Sequence, residues 1–212
     1  IIENCLISGN QAGADGGGLY FINQSAPVIK DCVIESNRSS IGFTLEETTA
    51  VLPSGGSIET FEFTFHHRGG GIFASNATLT IRNCRIANNT TGRDGGGLYA
   101  SDAAWLNMEN CLFMRNAAIM NTPPSAQGGG VCINNISASS LIGCHFDGNV
   151  AGGIWVQTME IIPLPGGGSS ITVRNSGHGE GGGLYAGASS LFIAHSSFSN
   201  NTAALTGGGL CL

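Results

Sequence analysis

Short segments in which apolar and polar residues alternate recur along the whole chain. Leu79-Thr80-Ile81 alternates cleanly between apolar and polar residues, and Leu191-Phe192-Ile193 and Val28-Ile29-Lys30 do so less cleanly. Runs of this kind, rich in Ile, Leu, Val and Thr, are typical of short β-strands. No segment between them leaves room for an amphipathic helix. The pattern therefore predicts an all-β protein.

A longer pattern repeats with a fixed period. Three glycines followed by an aliphatic residue occur six times, and the first glycines are separated by 53, 26, 33, 53 and 26 residues. Because 53 is close to twice 26, we expect a unit of about 26 residues, with degenerate copies at Gly42-Phe43 and Gly152-Gly153-Ile154. Such a period indicates a solenoid of about eight coils. The tracts begin at Gly16, Gly69, Gly95, Gly128, Gly181 and Gly207.

A second motif occupies the other half of each unit. It consists of an aliphatic residue or Phe, any two residues, and then Asn. We expect the apolar residue to point inward and the Asn to lie at a turn, where its amide bonds backbone groups or its stacked neighbour. A small residue, usually Cys, lies two positions before the apolar residue. The motif begins at Ile7, Ile34, Ile86, Phe113, Phe146 and Phe198, and the small residues are Cys5, Cys32, Thr64, Cys84, Cys111, Cys144, Ser176 and Ser196.

The two motifs together predict a right-handed parallel β-helix, since leucine-rich, ankyrin and tetratricopeptide signatures are absent. Each unit makes one coil, and the coils stack at about 4.8 Å through backbone hydrogen bonds. The second residue after each glycine tract should face outward, because side chains alternate along a strand. These residues form a candidate binding stripe, interrupted by Cys132 and Cys211: Tyr20, Phe73, Tyr99, Trp155 and Tyr185.

The order of the motifs indicates that four coils were copied as a block. Residues 16–95 match residues 128–207 at a constant offset of 112. The chain 1–212 starts and stops within a unit, so we expect one domain from the interior of a longer protein. Insertions interrupt the period and are expected to bulge as loops from one face. They lie near 46–55, 118–127 and 158–167.

The paired motifs resemble those of the chlamydial polymorphic outer-membrane proteins. More broadly, they resemble β-helix repeats in large surface proteins of bacteria and algae. The resemblance covers nearly the whole chain, with Gly-Gly-Gly-Leu at 16–19 and Phe-x-x-Asn at 146–149 as examples. It implies a right-handed β-helix, and the chlamydial members look like surface adhesins carried on an autotransporter. The motifs specify the fold more closely than the function.

Composition and charge narrow the range of partners. The net charge is −6 with eight Lys and Arg residues, which makes nucleic acid an unsuitable partner because no basic cluster can contact a phosphate backbone. No apolar run approaches the roughly 20 residues of a membrane-spanning helix. The expected partners are neighbouring coils of the same longer chain, other filament subunits or carbohydrate.

The titratable side chains form no pattern typical of catalysis. Asp15, Asp94 and Glu180 precede glycine tracts, and the eight-coil count places Asp15 and Asp94 three coils apart, so turn or capping roles are expected. His66 and His178 lie four coils apart by the same count and are expected to be buried or corner residues. We therefore expect no enzymatic activity, no cofactor and no metal site. A carbohydrate-active β-helix whose site lies outside this segment is a less favoured alternative.

The sequence leaves two alternatives each for the cysteines and for the Asn-x-Ser/Thr sequons. In a secreted protein, stacked cysteines such as Cys111 and Cys144 either form vertical disulfides or pack as free thiols, whereas Cys132 and Cys211 are expected to be too far apart to bridge. Six Asn-x-Ser/Thr sequons are either glycosylation sites or a product of composition. They are Asn23, Asn37, Asn76, Asn88, Asn135 and Asn200.

The function favoured by these observations is structural. Stacked coils bury a continuous core and resist bending, which suits an extracellular or cell-surface rod, stalk or filament, such as a ciliary or flagellar appendage. The alternative is a surface adhesin that binds carbohydrate or protein through the aromatic stripe or the insertions.

Overall fold

The strands wind into a right-handed parallel β-helix, which confirms the predicted fold class. This computed structural model shows strands, turns and no helix among the residues it describes, so the described part also has no helix able to span a membrane. Each coil adds one strand to each of three long walls. The structure describes residues 1–40, 44–51, 57–64, 67–103, 105–119, 126–152, 156–163, 169–176 and 179–212.

The walls follow one another around each coil. Wall 1, directly after the glycine tracts, contains β3 (Leu19–Phe21), β8 (Ile72–Ser75), β12 (Leu98–Ser101), β17 (Val131–Asn134), β24 (Leu184–Gly187) and β28 (Leu210–Cys211). Wall 2 contains β1 (Ile2–Glu3), β4 (Val28–Lys30), β9 (Leu79–Arg82), β13 (Trp105–Glu109), β18 (Ala138–Ile142) and β25 (Leu191–Ala194). Wall 3 contains β2 (Leu6–Ser8), β5 (Val33–Glu35), β10 (Arg85–Ala87), β14 (Leu112–Met114), β19 (His145–Asp147) and β26 (Ser197–Ser199).

Shorter pieces complete the coil before the next glycine tract. A fourth parallel sheet contains β11 (Thr90–Thr91), β15 (Ala117–Ala118), β20 (Val150–Ala151) and β27 (Thr202–Ala203). A further parallel pair joins β16 (Ala126–Gln127) to β23 (Gly179–Glu180).

Equivalent residues of successive coils lie opposite one another, so the core consists of columns. Ile34, for example, pairs with Ile7 on one side and Ile86 on the other. The same column continues with Phe113 and Phe146, whose rings stack with centroids 5.1 Å apart. The aliphatic residues after the glycines and the apolar residues of wall 3 are therefore inward, as predicted.

The predicted number of coils is wrong. Leu19 pairs directly with Ile72, and Val131 pairs with Leu184, so each 53-residue spacing covers one coil instead of two. The additional residues form antiparallel hairpins, and a hairpin with its connections happens to be as long as one coil. Six strands stack in each wall. Gly42-Phe43 and Gly153-Ile154, which the eight-coil count needed, lie outside the described residues.

The two largest insertions are hairpins instead of loops. In the first, β6 (Thr44–Val51) pairs with β7 (Ser57–Thr64), and in the second, β21 (Val156–Pro163) pairs with β22 (Ser169–Ser176). Thr64 and Ser176 therefore belong to hairpins and not to the cysteine column. The two hairpins begin 112 residues apart, at 44 and 156, which agrees with the duplication offset, although the duplication itself stays a prediction. Of the insertion at 118–127, residues 120–125 lie outside the described part.

A column of asparagines, buried from Asn37 to Asn149 and more open at both ends, runs through all six coils and is called here the asparagine ladder. In each step the backbone N–H and the Nδ2 of one Asn donate to Oδ1 of the next; for Asn89 both distances to Asn116 are 3.0 Å. The Nδ2 of Asn116 also donates to the Ile86 carbonyl at 2.8 Å. Buried amides thus have partners on both sides. The ladder consists of Asn10, Asn37, Asn89, Asn116, Asn149 and Asn201.

Each glycine of a tract meets a different constraint. The first has φ near +65°, as for Gly95 at +68°, a conformation that side chains disfavour. A Cβ on the second, Gly96, would lie 2.3 Å from the Gly129 carbonyl oxygen. A Cβ on the third, Gly97, would lie 2.6 Å from the Gly130 oxygen and 3.0 Å from the Asn116 amide. The two sequence motifs are therefore in direct contact across the core.

Replacing Asn116 with Ala should destabilise the β-helix. The change leaves the N–H and Nδ2 of Asn89 without their acceptor and removes one donor to the Ile86 carbonyl, and each unpaired buried group costs about 1–3 kcal/mol. We expect the free energy of unfolding, measured by urea denaturation, to fall by about 3 kcal/mol or more. Asn107→Ala, on the outer face of the same coil, should change it by less than about 0.5 kcal/mol. Equal losses in both variants would contradict the role of the ladder.

Replacing Gly97 with Ala should be similarly damaging, because the new Cβ meets backbone that cannot move aside. We expect a loss of about 3 kcal/mol by the same measurement. Gly13→Ala is the matched control, since a Cβ there has no atom within 4 Å. That substitution should shift stability by less than about 1 kcal/mol. A tolerant Gly97→Ala variant would show that the two walls do not need this close approach.

Candidate functional site

The aromatic stripe forms, but its centre is covered. The Tyr20 and Phe73 rings stack with centroids 5.0 Å apart, and those of Phe73 and Tyr99 lie 5.4 Å apart. Tyr20 is 52% exposed, whereas Phe73 and Tyr99 are 6% and 5% exposed. Cys132, next in the stripe, is fully buried and packs with Tyr185. Trp155 lies outside the described residues. The outward stripe expected from alternation therefore forms, but Phe73 and Tyr99 are buried in it, and its role in binding stays a prediction.

The cover comes from the chain that enters each glycine tract. A Cβ on Gly69 would lie 2.8 Å from the Phe73 Cα, so the chain turns tightly between this glycine and wall 1. The Arg68 guanidinium, just before this glycine, lies 5.0 Å from the Tyr99 ring centroid in a cation–π contact. Burial raises the pKa of the Tyr99 hydroxyl, against the opposing effect of Arg68. The stripe is thus a packed structural stack over most of its length.

The residues before the glycine tracts form a hydrogen-bonded column. Asp15 Oδ1 accepts the Arg68 N–H at 2.7 Å, and Asp94 Oδ1 accepts the Gln127 N–H at 3.2 Å. Asp94 Oδ2 also forms an ion pair with Arg68 Nε at 3.2 Å. The Gln127 amide donates to Glu180 Oε2 at 3.1 Å. The predicted capping role is confirmed for Asp15 and Asp94, but they lie two coils apart, with Arg68 between them, and not three.

Burial dominates the electrostatics of this column. Desolvation raises the pKa of the Asp94 carboxyl, although the Arg93 and Arg68 guanidinium groups act in the opposite direction. The same burial raises the pKa of the Cys132 thiol well above its usual range. No group of three or more His, Cys, Asp or Glu residues in the described part is placed to hold a metal ion. His66 and His178 lie outside that part.

The inward cysteines act as hydrogen-bonding groups. All seven cysteines are free thiols, and five of them stack in consecutive coils instead of in two separate groups. The Cys84 Sγ donates to the Arg82 carbonyl at 3.0 Å and accepts the Cys32 N–H at 3.5 Å. Ser196 continues the column, because its Oγ accepts the Cys144 N–H at 3.0 Å. The column consists of Cys5, Cys32, Cys84, Cys111, Cys144 and Ser196.

One pair of cysteines lies in this inward column, and a second pair lies at outward positions of wall 1. A hydrogen bond between Cys111 and Cys144 raises the pKa of Cys111 and lowers that of Cys144. Cys132 and Cys211 both pair with Tyr185, on its opposite sides. They are therefore two coils apart rather than three, and Cys132 is buried.

The sequons divide into two groups. Asn37 is a buried member of the asparagine ladder, and its Nδ2 donates to the Ile7 carbonyl at 2.8 Å, so this candidate glycosylation site is wrong. A seventh sequon, Asn89-Thr90-Thr91, lies outside the six candidates, and its Asn is buried in the same ladder. The others are exposed turn residues with positive φ, where glycosylation stays a prediction: Asn23, Asn76, Asn88, Asn135 and Asn200.

Sequence reasoning missed an open groove on wall 2. It lies over β18, between Trp105 on β13 and Phe192 on β25, and has a volume of about 550 Å³. The two rings are 56% and 60% exposed. The floor of the groove between the rings is made of small side chains. Ala138 lies opposite Trp105, and Ser140 lies opposite Phe192. Alternation marks each of these residues as outward, but their proximity depends on which strands are neighbours.

The groove carries little charge. Of the described residues that line it, Glu109 alone is charged, and its Oε2 is paired with Arg82 Nε at 3.3 Å. Asn107 lies opposite Ser140 in the same outward column. Neither side chain forms a hydrogen bond within the described part of the chain. The groove therefore combines two exposed rings with uncommitted amide and hydroxyl groups.

Comparisons with known families agree with this architecture. Residues 54–212 match the model for the right-handed beta helix region. Residues 4–22 match the model for the Chlamydia polymorphic membrane protein repeat, which suggests an outer-membrane or surface protein. Comparisons with curated proteins and with solved structures gave no match.

Alkaline conditions should weaken the fold through Cys84. Burial raises the pKa of this thiol from 9.0 to about 11, so between these pH values the unfolded chain loses the proton more readily than the folded one. Stability must then fall as the pH rises through this window. We expect the urea midpoint to decline more steeply from pH 9 to pH 11 than it does in Cys84→Ser, which keeps the hydrogen bonds as Ser196 does. Identical slopes in the two proteins would contradict the assignment.

Proposed function

Since this chain belongs to the right-handed β-helix family, we propose that it forms a stiff segment of a stalk or rod on a cell surface. The observation that carries the proposal is the asparagine ladder, which links all six coils through hydrogen bonds that are buried in the inner coils and partly buried at the two ends. Bending the rod between two coils would separate an amide from its acceptor in the core. Such groups are costly to leave unpaired, so the ladder favours a rigid axis.

The match of residues 4–22 to a membrane-protein repeat supports the surface location. Five exposed sequons along the turns are compatible with an extracellular chain. The proposed partners are further coils of the same kind and other subunits of a filament. Stacking continues through backbone hydrogen bonds, so each coil can accept another of the same kind.

A non-enzymatic role is part of the proposal. The carboxylates that precede the glycine tracts are occupied by backbone N–H groups and by Arg68, so they are poorly placed to act as acid and base on a substrate. Their geometry serves turn formation. No cofactor is proposed, because these residues have structural partners.

Surface display is tested on intact cells of the source organism. We expect antibodies against the recombinant chain to label cells that have not been permeabilised, and protease added outside to remove the label. An antibody against a cytoplasmic protein, which should bind only after permeabilisation, is the control. Labelling of permeabilised cells alone would contradict the surface location.

Stiffness is tested on the purified chain. Amide hydrogen exchange should show strong and uniform protection in walls 1–3, since every coil is held by the ladder. Asn116→Ala should raise exchange in the coils next to it, while Asn107→Ala should leave the pattern unchanged. Rapid exchange throughout the native walls would contradict a rigid rod.

A further inference from the structure

We propose that the groove over β18 binds a neutral saccharide, whose sugar units pack against the rings of Trp105 and Phe192. This binding site goes beyond the stalk role and does not depend on it. The argument rests on the exposure of the two rings, the polar floor between them, and the pairing of the strands beneath.

The rings suit a ligand with flat apolar faces. Trp105 and Phe192 lie on strands that flank β18, so they are separated by two strand spacings, about 9.6 Å along the rod axis. Sugar rings present C–H groups on their faces and hydroxyl groups around their edges, and they stack well on aromatic side chains. The volume of about 550 Å³ falls within the range of small-molecule sites. A short oligosaccharide therefore fits between the two rings.

The floor suits hydroxyl groups and not charge. The Asn107 amide and the Ser140 hydroxyl are both donors and acceptors, as sugar hydroxyls are. Glu109 already has Arg82 as its ion partner, 3.3 Å away, so the groove offers no free charge to a cationic or an anionic ligand. A neutral saccharide satisfies the polar groups without burying an unpaired ion.

The strands beneath the groove disfavour a peptide that would add as a further strand. β13 pairs with β9 and β18, and β18 pairs with β13 and β25. Their backbone groups are therefore used within wall 2, and recognition here must come from side chains. The polar residues of the floor also interrupt the apolar surface that a second protein would need.

The test uses the full chain with a panel of neutral oligosaccharides, built from hexoses or N-acetylhexosamines, and a matched panel of uronic-acid oligomers. Binding is measured by isothermal titration calorimetry. The chain has two tryptophans, so Trp155→Phe leaves Trp105 as the single tryptophan emitter. We expect at least one neutral oligosaccharide to bind and to change the fluorescence of this variant. Uronic-acid oligomers of the same length should bind more weakly.

Variants separate the groove from other exposed rings. Trp105→Ala and Phe192→Ala should each weaken binding at least about tenfold, as expected for a central aromatic anchor. Ala138→Phe should do the same by filling the floor, although it adds apolar surface. Tyr20→Ala, at an exposed ring on wall 1, is the control and should bind as the parent chain does. Urea midpoints close to that of the parent would establish that the variants are folded.

Several results would overturn the proposal. Absence of binding to every neutral oligosaccharide would do so, and so would a stronger response to uronic-acid oligomers. Unchanged affinity in the folded Trp105→Ala and Phe192→Ala variants would place any saccharide site elsewhere. Increased binding to Ala138→Phe would indicate general apolar adsorption. None of these results would bear on surface display or stiffness, which are measured separately.

Discussion

The close contact between the asparagine ladder and the third glycine of each tract is the constraint on which the fold depends. Gly97 lies so near Asn116 that a Cβ would meet its amide at 3.0 Å. Any larger residue would push wall 1 away from the amide that closes the coil. Each Asn in turn needs the coil above and the coil below to satisfy its hydrogen bonds, so the coils stabilise one another. The two motifs are thus one structural device, which explains why they recur together.

The glycine tracts also determine how much of the outer face of wall 1 is exposed. The first glycine adopts a positive φ and makes a tight turn into the strand that follows it, as the 2.8 Å approach of a Gly69 Cβ to the Phe73 Cα shows. Rings in that position become a covered stack, held further by Arg68 over Tyr99. On wall 2, the rings of Trp105 and Phe192, on either side of β18, stay more than half exposed.

The sequence predicted those features that depend on local alternation and on the backbone freedom of glycine. The inward columns and the turn at each Asn follow from residues close together in the chain, whereas the partner that Asp15 caps, the Arg68 N–H, comes from the next coil. The coil count failed because the hairpin of β6 and β7, together with its connections, adds about the length of one coil, and length alone cannot distinguish a hairpin from a repeat. The exposure of Phe73 and the groove beside Phe192 were not predictable, since alternation gives the side of a strand but not what crosses it or lies next to it.

In a solenoid built from nearly equivalent coils, specific recognition has to come from departures from the repeat. Wall 2 shows one such departure: small residues on β18, Ala138 and Ser140, lie between large rings on the two flanking strands. The backbone beneath is paired on both sides, so the groove adds a binding surface without opening the ladder. A rod can therefore keep its stiffness and still carry a ligand site, because the ladder occupies the inside of the coil and the groove depends only on outward side chains. The hairpins also leave the walls intact: the first leaves the coil between β5 and β8 and the second between β20 and β23, and the walls on either side of each still pair in register.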